Sequence, residues 1–593
     1  MNRNRGRSFR DFRCLLVSLI ILSAVSATPA QQEQTPPQGI VTDWSSHHVV
    51  FSNPGTVREA MAKGKLDEWS QIVNEPRYRM QQVRRSVPID ATGLRIPLAS
   101  DSPDNRPIDP GPDNSPLVRL RPHGDWSVTV SATNGQSTAV DMYPAKYSFS
   151  PISAPDCVND FVVFPVLGAG SATHQNLIGM NNLYNVTCTG TVPTVLFAYF
   201  VGTGQMRTSP VLSLDGSKIA IVESIANGSR FHVIKIDKSG NAGCPNATPC
   251  NGNAYNRPAV PGTHNSAVDT RITLSGNVTL TISSPFVDYK NDIAYVGDNT
   301  GKLHKITGVF NGTPAEAAAP WPVTVAAGAT LTGPVVDPGA SKNIFVGASN
   351  GNLYCITAAG AACATASISV AAGTTPGAVV DVPIVDATTQ KVFAAASNST
   401  TSVLTQATTS LGSPVRAAMG VSGTDLYDGT FDSGYYTSVS TGHMYFCGNL
   451  TTAATPTLWR VTFNSSGTMS STNDGNSFQL VRTGNTGTGS DCTPLTEVLN
   501  TGQGKDYLFL AVKNHGFNTG TPNCANLTCL MAFVLPASTF PTKPNATVNT
   551  TLGTRGISGI VVDNVSTAAG ASQIYFGNLQ ANTAVQGSQA ALQ

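Results

Sequence analysis

Hydrophobic positions beyond residue 125 come in short runs that recur at a regular interval. Ser284–Asp288 is followed by Ile293–Gly297 and then by Lys302–Ile306, with Gly-containing turns between them. Short alternating runs of this kind, rich in Val, Ile, Tyr and Phe, are typical of β-strands. The pattern returns at equal spacing, headed by Pro285, Pro334 and Pro383. Four short strands in about 40–50 residues are typical of a β-propeller blade.

Weaker copies extend this repeat to both ends of the region. Blade starts are predicted near residues 155, 209, 284, 333, 382, 430, 494 and 559. Trp126–Val130 matches the strand at Trp321–Val325 but has no blade of its own before it. We therefore predict that it completes the last blade, so that both ends of the region 126–593 close the ring and leave no free sheet edge. The predicted fold is an all-β propeller of eight, or alternatively seven, four-stranded blades.

The region 28–125 is an extension in which charged residues are denser than in the rest of the chain. Thr56 and Glu59 form a capping box, and Leu66, Trp69 and Val73 then recur at helical spacing. This predicts two or three short helices ending at Arg84 and Arg85, followed by a Pro- and Asp-rich linker over 87–124. The extension is interpreted as an appendage packed on the propeller or as a docking arm for a partner.

Residues 1–27 have the pattern of a secretory signal peptide. Five arginines precede the apolar run Leu15–Ala27, which ends in small residues and is too short to cross a membrane. The sequence thus predicts export to the cell surface, the periplasm or the medium, without a membrane span.

The cysteines agree with an oxidising compartment. Without Cys14, ten remain, and short loop closure favours pairing between sequence neighbours. The pairs predicted in this way are Cys157 with Cys188, Cys244 with Cys250, Cys355 with Cys363, Cys447 with Cys492, and Cys524 with Cys529. No cysteine and histidine spacing of a zinc site occurs.

The charge balance excludes one class of partner. The net charge is +1, and charged residues make up only 12% of the chain. Nucleic-acid binding needs a basic patch, which this chain lacks, so we expect no nucleic-acid partner.

The repeat resembles that of bacterial propellers with the pyrroloquinoline-quinone-type repeat. The shared pattern is Pro-hydrophobic-Val-Asp, then Ile-Tyr-Val-Gly, then Gly-x-Leu-Tyr, and Ser213–Ala220 also looks like the blade motif of periplasmic Tol-associated propellers. The family includes quinoprotein dehydrogenases and a non-catalytic outer-membrane assembly lipoprotein, so the resemblance implies fold and export but no one activity. The chain lacks the vicinal cysteine pair and repeated tryptophans of the catalytic members, and it lacks the haem motif C-x-x-C-H. A quinoprotein-like oxidoreductase is therefore disfavoured, and no cofactor is expected.

Two further motifs have structural explanations. Gly347–Gly351 matches the serine-hydrolase pattern G-x-S-x-G, but it lies between two predicted strands and is interpreted as a hairpin turn. One aspartate closes the first strand of several blades, and capping of the following turn is the predicted role. These residues are Asp288, Asp337, Asp386 and Asp563. Neither a catalytic nor a metal site is predicted.

The candidate binding surface is a rim around one mouth of the channel. Loops that enter the first strand of each blade share one face of a propeller with the hairpins between second and third strands. On this sequence the rim residues are Arg207, Asp298, Asn299, Asp381, Asp428, Asp491 and Arg555. The favoured function is a secreted, non-catalytic module that binds a protein or a cell-surface polymer. The alternative is an exported glycan hydrolase or lyase, which would require a carboxylate cluster at this mouth.

Overall fold

The computed structural model describes residues 39–85, 123–130, 138–236 and 269–588, apart from short breaks within the last two ranges. The predicted signal peptide and most of the linker over 87–124 lie outside the described residues. Gly39–Gln593 form one compact unit, so the helices before residue 86 belong to the same unit as the strands. No helix among the described residues is both long and apolar enough to cross a membrane.

Most of the described chain is built into antiparallel sheets that follow one another in chain order. Sheet 1 consists, across the sheet, of Ile40–Thr42, Ala145–Ser148, Phe161–Pro165, Leu177–Asn181 and Thr194–Tyr199. Sheet 2 consists of Asp269–Thr273, Gly228–Lys235, Lys218–Ile225 and Gln205–Met206, with Val211–Leu212 also on Lys218–Ile225. Sheet 3 consists of Phe286–Asp288, Ile293–Gly297, Lys302–Thr307 and Ala315–Glu316, with Val323–Thr324 also on Lys302–Thr307. Sheet 4 consists of Val335–Val336, Ile344–Gly347, Asn352–Ile356 and Ala362–Ser369.

Sheet 5 is larger, because two four-stranded groups are joined in it. The first group is Ile384–Asp386, Lys391–Ser397, Thr401–Thr408 and Val415–Val421, with Val49–Val50 on its inner edge. The second group is Thr430–Phe431, His443–Asn449, Pro456–Thr462 and Ser477–Gln479, with helix α5 (Ser433–Thr437) and a 3₁₀ turn (Val439–Thr441) between its first two strands. Only Gly420 and Val421 pair with Asn449 across the junction.

Two sheets complete the molecule. Sheet 6 consists of Thr496–Asn500, Lys505–Val512, Cys529–Leu535 and Ala546–Val548. Sheet 7 consists of Val561–Asp563, Gln573–Asn578, Thr583–Ser588 and, from the other end of the chain, His123–Thr129. In that last pairing Trp126 lies opposite Gln586.

One strand of each group is here called its inner strand; these are 145–148, 211–212, 286–288, 335–336, 384–386, 430–431, 496–500 and 561–563. Most inner strands contact the inner strand of a neighbouring group. Such contacts join 145–148 to 211–212, 286–288 to 335–336, 335–336 to 384–386, 430–431 to 496–500, 496–500 to 561–563, and 561–563 back to 145–148. Because sheets arranged around a common centre with touching inner strands form a propeller, the all-β propeller prediction agrees with the structure. The inner strands surround a central channel.

Seven inner strands lie within a few residues of their predicted starts, but the first does not. The sequence placed it near residue 155, whereas Ala145–Ser148 is the inner strand of sheet 1. This strand lacks the repeat motif and carries a lysine at a fully buried position, Lys146. Its side chain pairs with Asp563, at 3.0 Å, rather than facing solvent.

Residues 39–85 are here called the plug, and the first part of the plug, 39–51, lies inside the channel. Ile40–Thr42 pairs antiparallel with Ala145–Ser148, and Val49–Val50 pairs parallel with the inner strand of sheet 5. Between them lies a short helix, α1 (Ser45–His48), and Trp44 beside it is 1% exposed. Residues 39–51 of the extension are therefore part of the hydrophobic core.

Three more helices follow as α2 (Val57–Ala62), α3 (Leu66–Val73) and α4 (Pro76–Arg85). The predicted capping box is present, since Thr56 Oγ1 accepts from the Glu59 N–H and Glu59 Oε2 accepts from the Thr56 N–H. Arg77 of α4 donates to the Val287 carbonyl at 2.7 Å. The helices thus lie at the end of the channel where the inner strands finish.

Four of the five predicted cysteine pairs are disulfides in the structure. Their Cα–Cα distances are 5.7 Å for Cys157–Cys188, 5.5 Å for Cys355–Cys363, 6.4 Å for Cys447–Cys492 and 5.5 Å for Cys524–Cys529. These bonds indicate an oxidising, extracellular or periplasmic environment.

The fifth predicted pair does not share this outcome. Both of its members, Cys244 and Cys250, lie outside the described residues, in the stretch between residues 236 and 269. The structure therefore leaves the bond between Cys244 and Cys250 untested, and it stays a prediction from loop closure alone.

Candidate functional site

The loops that enter the inner strands bring two buried aspartates together. Asp381 precedes Ile384–Asp386, and Asp428 precedes Thr430–Phe431. The Asp428 N–H donates to Asp381 Oδ2 at 2.9 Å, while Asp381 Oδ1 accepts from the Val382 N–H at 2.8 Å. The two residues are only 4% and 3% exposed.

Burial strongly shifts the pKa values of this pair. It raises the pKa of Asp381 to about 7. Burial, together with the charge of Asp381, raises the pKa of Asp428 well above its ordinary value. The N–H groups of Ala395 and Ile384 approach the Asp428 carboxylate without making a full hydrogen bond. At neutral pH the pair therefore holds at least part of a proton.

Three more carboxyl groups lie nearby and are linked by charge, Asp141 with Asp381 and Asp425, and Asp425 in turn with Asp491. Burial raises the pKa of Asp141 to about 6, Asp381 and Asp425 add to the shift, and Arg207 opposes it. Burial and then Asp491 raise the pKa of Asp425, with Lys513 opposing. The set formed by Asp141, Asp381, Asp425, Asp428 and Asp491 is here called the acidic mouth. Its five carboxyl groups are accompanied by two cations, Arg207 and Lys513.

The plug forms the floor beneath part of the acidic mouth. A cavity of about 10 Å³, room for roughly one water molecule, is lined by Trp44, His48, Asp141, Tyr143 and Asp381, among others. Burial lowers the pKa of His48 to about 4, so this imidazole is neutral at pH 7 and adds no charge to the floor. Trp44 Nε1 is buried without a hydrogen-bond partner among the described residues.

The remaining predicted rim residues are placed differently. Asp298 is fully buried in its own hairpin turn, where it accepts from the N–H groups of Thr300 and Lys302, both at 2.8 Å, and contacts His304. Asn299 of the same turn is half-buried and accepts from the Leu280 N–H at 3.4 Å. Arg555 is exposed, and no interaction between it and the acidic mouth is observed in the described part of the chain.

Of the predicted rim, the structure thus brings Asp381 and Asp428 into direct contact. Arg207 and Asp491 are linked to them only through the charges of Asp141 and Asp425. Sequence reasoning missed Asp141 and Asp425. Asp141 precedes the inner strand that the sequence misplaced, so nothing marked it as an entry loop. Asp425 lies three residues before Asp428 in the same loop, and an acidic pair there was the signal available.

Three of the four aspartates at the far ends of the inner strands, Asp288, Asp337 and Asp386, cap turns as predicted, whereas for Asp563 the described residues show no such bond. Asp288 accepts from the N–H groups of Lys290 and Asn291, and Asp337 accepts from those of Gly339 and Ser341. Two of them also make longer-range contacts. Asp386 accepts from Ser52 of the plug and from Tyr435, and Asp563 pairs with Lys146.

The hairpin interpretation of Gly347–Gly351 agrees with the structure, because this segment joins two adjacent strands of sheet 4. In the described part of the chain, no group of three or more His, Cys, Asp or Glu side chains is arranged to hold a metal ion.

No protein-family model matches the chain, and no curated protein matches it. Among solved structures, it is similar to BamB from Moraxella catarrhalis, with 10% identity, a TM-score of 0.38, and coverage of 78% of this chain and 97% of that one. It is also similar to Sqt1 from Chaetomium thermophilum, with 9% identity, a TM-score of 0.42, and coverage of 78% and 99%. A protein from Lactobacillus plantarum gives 12% identity, a TM-score of 0.34, and coverage of 66% and 96%.

Proposed function

We propose that this protein is an exported, non-catalytic propeller that binds a protein or a surface polymer at the acidic mouth, through cationic groups of that partner. The observation that carries the proposal is the crowding of five carboxyl groups in a chain of which only 12% is charged. Burial raises the pKa values of Asp141, Asp381, Asp425 and Asp428, and neighbouring carboxylates add to the shifts of all of these but Asp381. A bound cation would favour the ionised forms and oppose these shifts.

The architecture supports the same surface. We propose eight blades, with sheet 5 containing two of them and His123–Thr129 closing the last. The first part of the plug lies inside the channel, and the plug helices cover the end opposite to the acidic mouth. The mouth is then the end at which loops from all blades remain open to a partner.

The test is capture of partners from native culture medium by the immobilised protein. Asp381→Asn with Asp428→Asn should lose the partner, because the isosteric amides remove the negative charge. The matched control is Asp67→Asn with Glu68→Gln, two acids on α3 whose side chains reach solvent. Capture that is unchanged in the first double variant would contradict the proposal.

The pH dependence gives a second measure. The pKa values of Asp141 and Asp381 are about 6 and about 7, so both carboxyls ionise as the pH rises through this range. Retention of a cationic partner should therefore increase between pH 5 and pH 8, and this increase should shrink in the Asp381→Asn variant.

A glycan hydrolase or lyase is the second candidate, because a carboxyl with a pKa of about 7 has the property of a general acid. Against it, both carboxyl oxygens of Asp381 already accept hydrogen bonds, from the N–H groups of Val382 and Asp428, whereas a general acid must give its proton to the substrate. Release of reducing or unsaturated sugar ends from soluble polysaccharides, abolished by Asp381→Asn, would establish this activity instead.

A further inference from the structure

A second cavity lies at the opposite end of the channel, between the plug helices and sheets 3 and 4. Its volume is about 420 Å³, within the range of about 300–1,000 Å³ of small-molecule sites. The cavity beside Arg85, for comparison, has about 60 Å³. The larger cavity is here called the lysine cleft.

The walls of the lysine cleft are largely apolar. Phe286 and Tyr295 are 2% and 3% exposed, and Val336 and Val49 of the plug are also buried. Ile293 is half-buried beside them. Such walls favour a ligand with an aromatic or aliphatic body.

The polar side chains of the lining include three lysines, Lys290, Lys305 and Lys342. Lys305 donates to the Ala358 carbonyl at 3.3 Å and lies over the Trp321 ring, and Lys342 donates to the Pro338 carbonyl. Among the described residues, no carboxylate lies within 4 Å of any of the three ammonium groups.

The acidic residues of the cleft already have partners of their own. Asp288 and Asp337 accept hydrogen bonds from the backbone of their turns. Glu75 faces Arg77 at 3.8 Å. Because Arg77 matches Glu75, the three lysines outnumber the two remaining carboxylates, and the cleft has a net positive charge. Burial lowers the pKa of Lys342, Asp337 opposes this shift and Lys290 adds to it, and a bound anion would raise this pKa.

We infer that the lysine cleft binds a small organic anion, a carboxylate attached to an aromatic or aliphatic body. The body packs between Phe286, Ile293 and Tyr295, and the carboxylate accepts hydrogen bonds from the lysine ammonium groups. The plug supplies one wall through Gln71 and Glu75, so the ligand contacts both the plug and the ring. This site is separate from the acidic mouth and does not depend on the function proposed for it.

The experiment is calorimetric titration of the full-length mature protein with 2-naphthoate and, separately, with the neutral isostere 2-naphthamide. We expect saturable binding of naphthoate and affinity at least tenfold lower for the amide. Decanoate and decanamide repeat the comparison with an aliphatic body. Equal affinity for acid and amide, or no saturable binding of either acid, would overturn the proposal.

Variants locate the site. Lys290→Ala with Lys342→Ala should weaken naphthoate binding at least tenfold, whereas Lys63→Ala with Lys505→Ala, two exposed lysines outside the cleft, should leave it unchanged. Ala358→Trp, at an exposed turn position on the cleft wall, should block it by occupying the space. Loss in the control pair, or full binding in the tryptophan variant, would place the ligand elsewhere and refute the inference.

Discussion

Several buried charged residues join parts of the chain that are far apart in the sequence. Arg85 of the plug contacts Glu497 of an inner strand and lies over the Tyr436 ring, 3.4 Å from its centroid. Lys146 and Asp563, which are 0% and 3% exposed, join the inner strands of sheets 1 and 7. Buried pairs of this kind add little net stability over an apolar pair, but breaking one leaves an uncompensated charge in the core.

Removing one partner of the Lys146–Asp563 pair should therefore be costly. We expect Asp563→Asn to lower the free energy of unfolding by about 3–5 kcal/mol, measured by urea unfolding. Glu68→Gln, which breaks the exposed Lys65–Glu68 pair on α3, should cost less than about 1 kcal/mol. Similar losses in the two variants would show that Lys146 finds another counterion.

The buried network of Asp298, His304 and Glu316 should make stability depend on pH. Burial alone would lower the pKa of His304, but the hydrogen bonds and charges of Asp298 and Glu316 raise it above 6.5. Its contribution is then complete below pH 6.5 and is lost as the pH rises through the raised value. The pKa values of the two carboxyls are lowered, so their contribution is complete above about pH 4.5 and is lost as the pH falls.

His304→Gln should flatten this profile, which is measured as the urea midpoint between pH 4 and pH 9. His443→Gln, which removes a more exposed histidine beside Asp432, is the control. An unchanged profile in His304→Gln would mean that the imidazole is neutral throughout.

At the scale of elements, the strand His123–Thr129 protects the protein against aggregation, because it covers the outer edge of sheet 7. Deleting Trp126–Val130 should expose Thr583–Ser588 as an unpaired edge and leave a product that aggregates. Light scattering coupled to size exclusion is the measurement. Ser127→Ala, at an exposed position of the same strand, should remain monomeric. A monomeric deletion product with unchanged melting would disprove closure by this strand.

The disulfides should differ in their effect according to loop length. Cys447–Cys492 encloses a separation of 45 residues and Cys355–Cys363 one of 8. In the chain-entropy model, replacing both cysteines of the longer loop with alanine should lower the free energy of unfolding by about 1.5 kcal/mol more than the same replacement in the shorter loop. Equal losses of stability in the two variants would contradict that model here.

The repeat made most elements predictable, because Pro-hydrophobic-Val-Asp specifies an inner strand and its turn within a few residues. The strand at Ala145–Ser148 was missed because the counterion of its buried lysine is Asp563, more than 400 positions later. The role of the plug was not predictable for the same reason. Trp44 and Phe51 have apolar partners in several distant sheets, and the sequence around the two residues gives no sign of these contacts.

The acidic mouth was partly predictable. Topology alone placed Asp381 and Asp428 in entry loops on one face. Their direct contact depends on neighbouring sheets meeting at the channel, and that geometry is not a property of either loop. Asp298 shows the opposite case. Its hairpin lies on the same face, but its carboxylate accepts a hydrogen bond from Thr300 within its own turn.

At the scale of the whole molecule, the plug is a separate segment that packs as an internal ligand of the ring. Its contacts with Val287, Asp386 and Glu497 come from three different sheets. If a protease site is inserted within 86–122 and cleaved, the fragment ending there should remain bound and co-elute with the ring. The same cleavage in an Arg77→Ala, Glu497→Gln background should release it. Release from the wild-type background would show that the plug is held only by its covalent link.

The plug and the closing strand both precede the first inner strand in the sequence, while several of their partners lie at the other end. Arg85 meets Glu497, and Trp126 lies opposite Gln586. The ribosome therefore synthesises the plug and the closing strand first and several of their partners last. Until the final residues emerge, the closing strand has no partner strand and the plug has only part of its contacts, so the ring cannot close. A chain truncated near its C-terminus would keep this immature state and remain a substrate for proteolytic quality control.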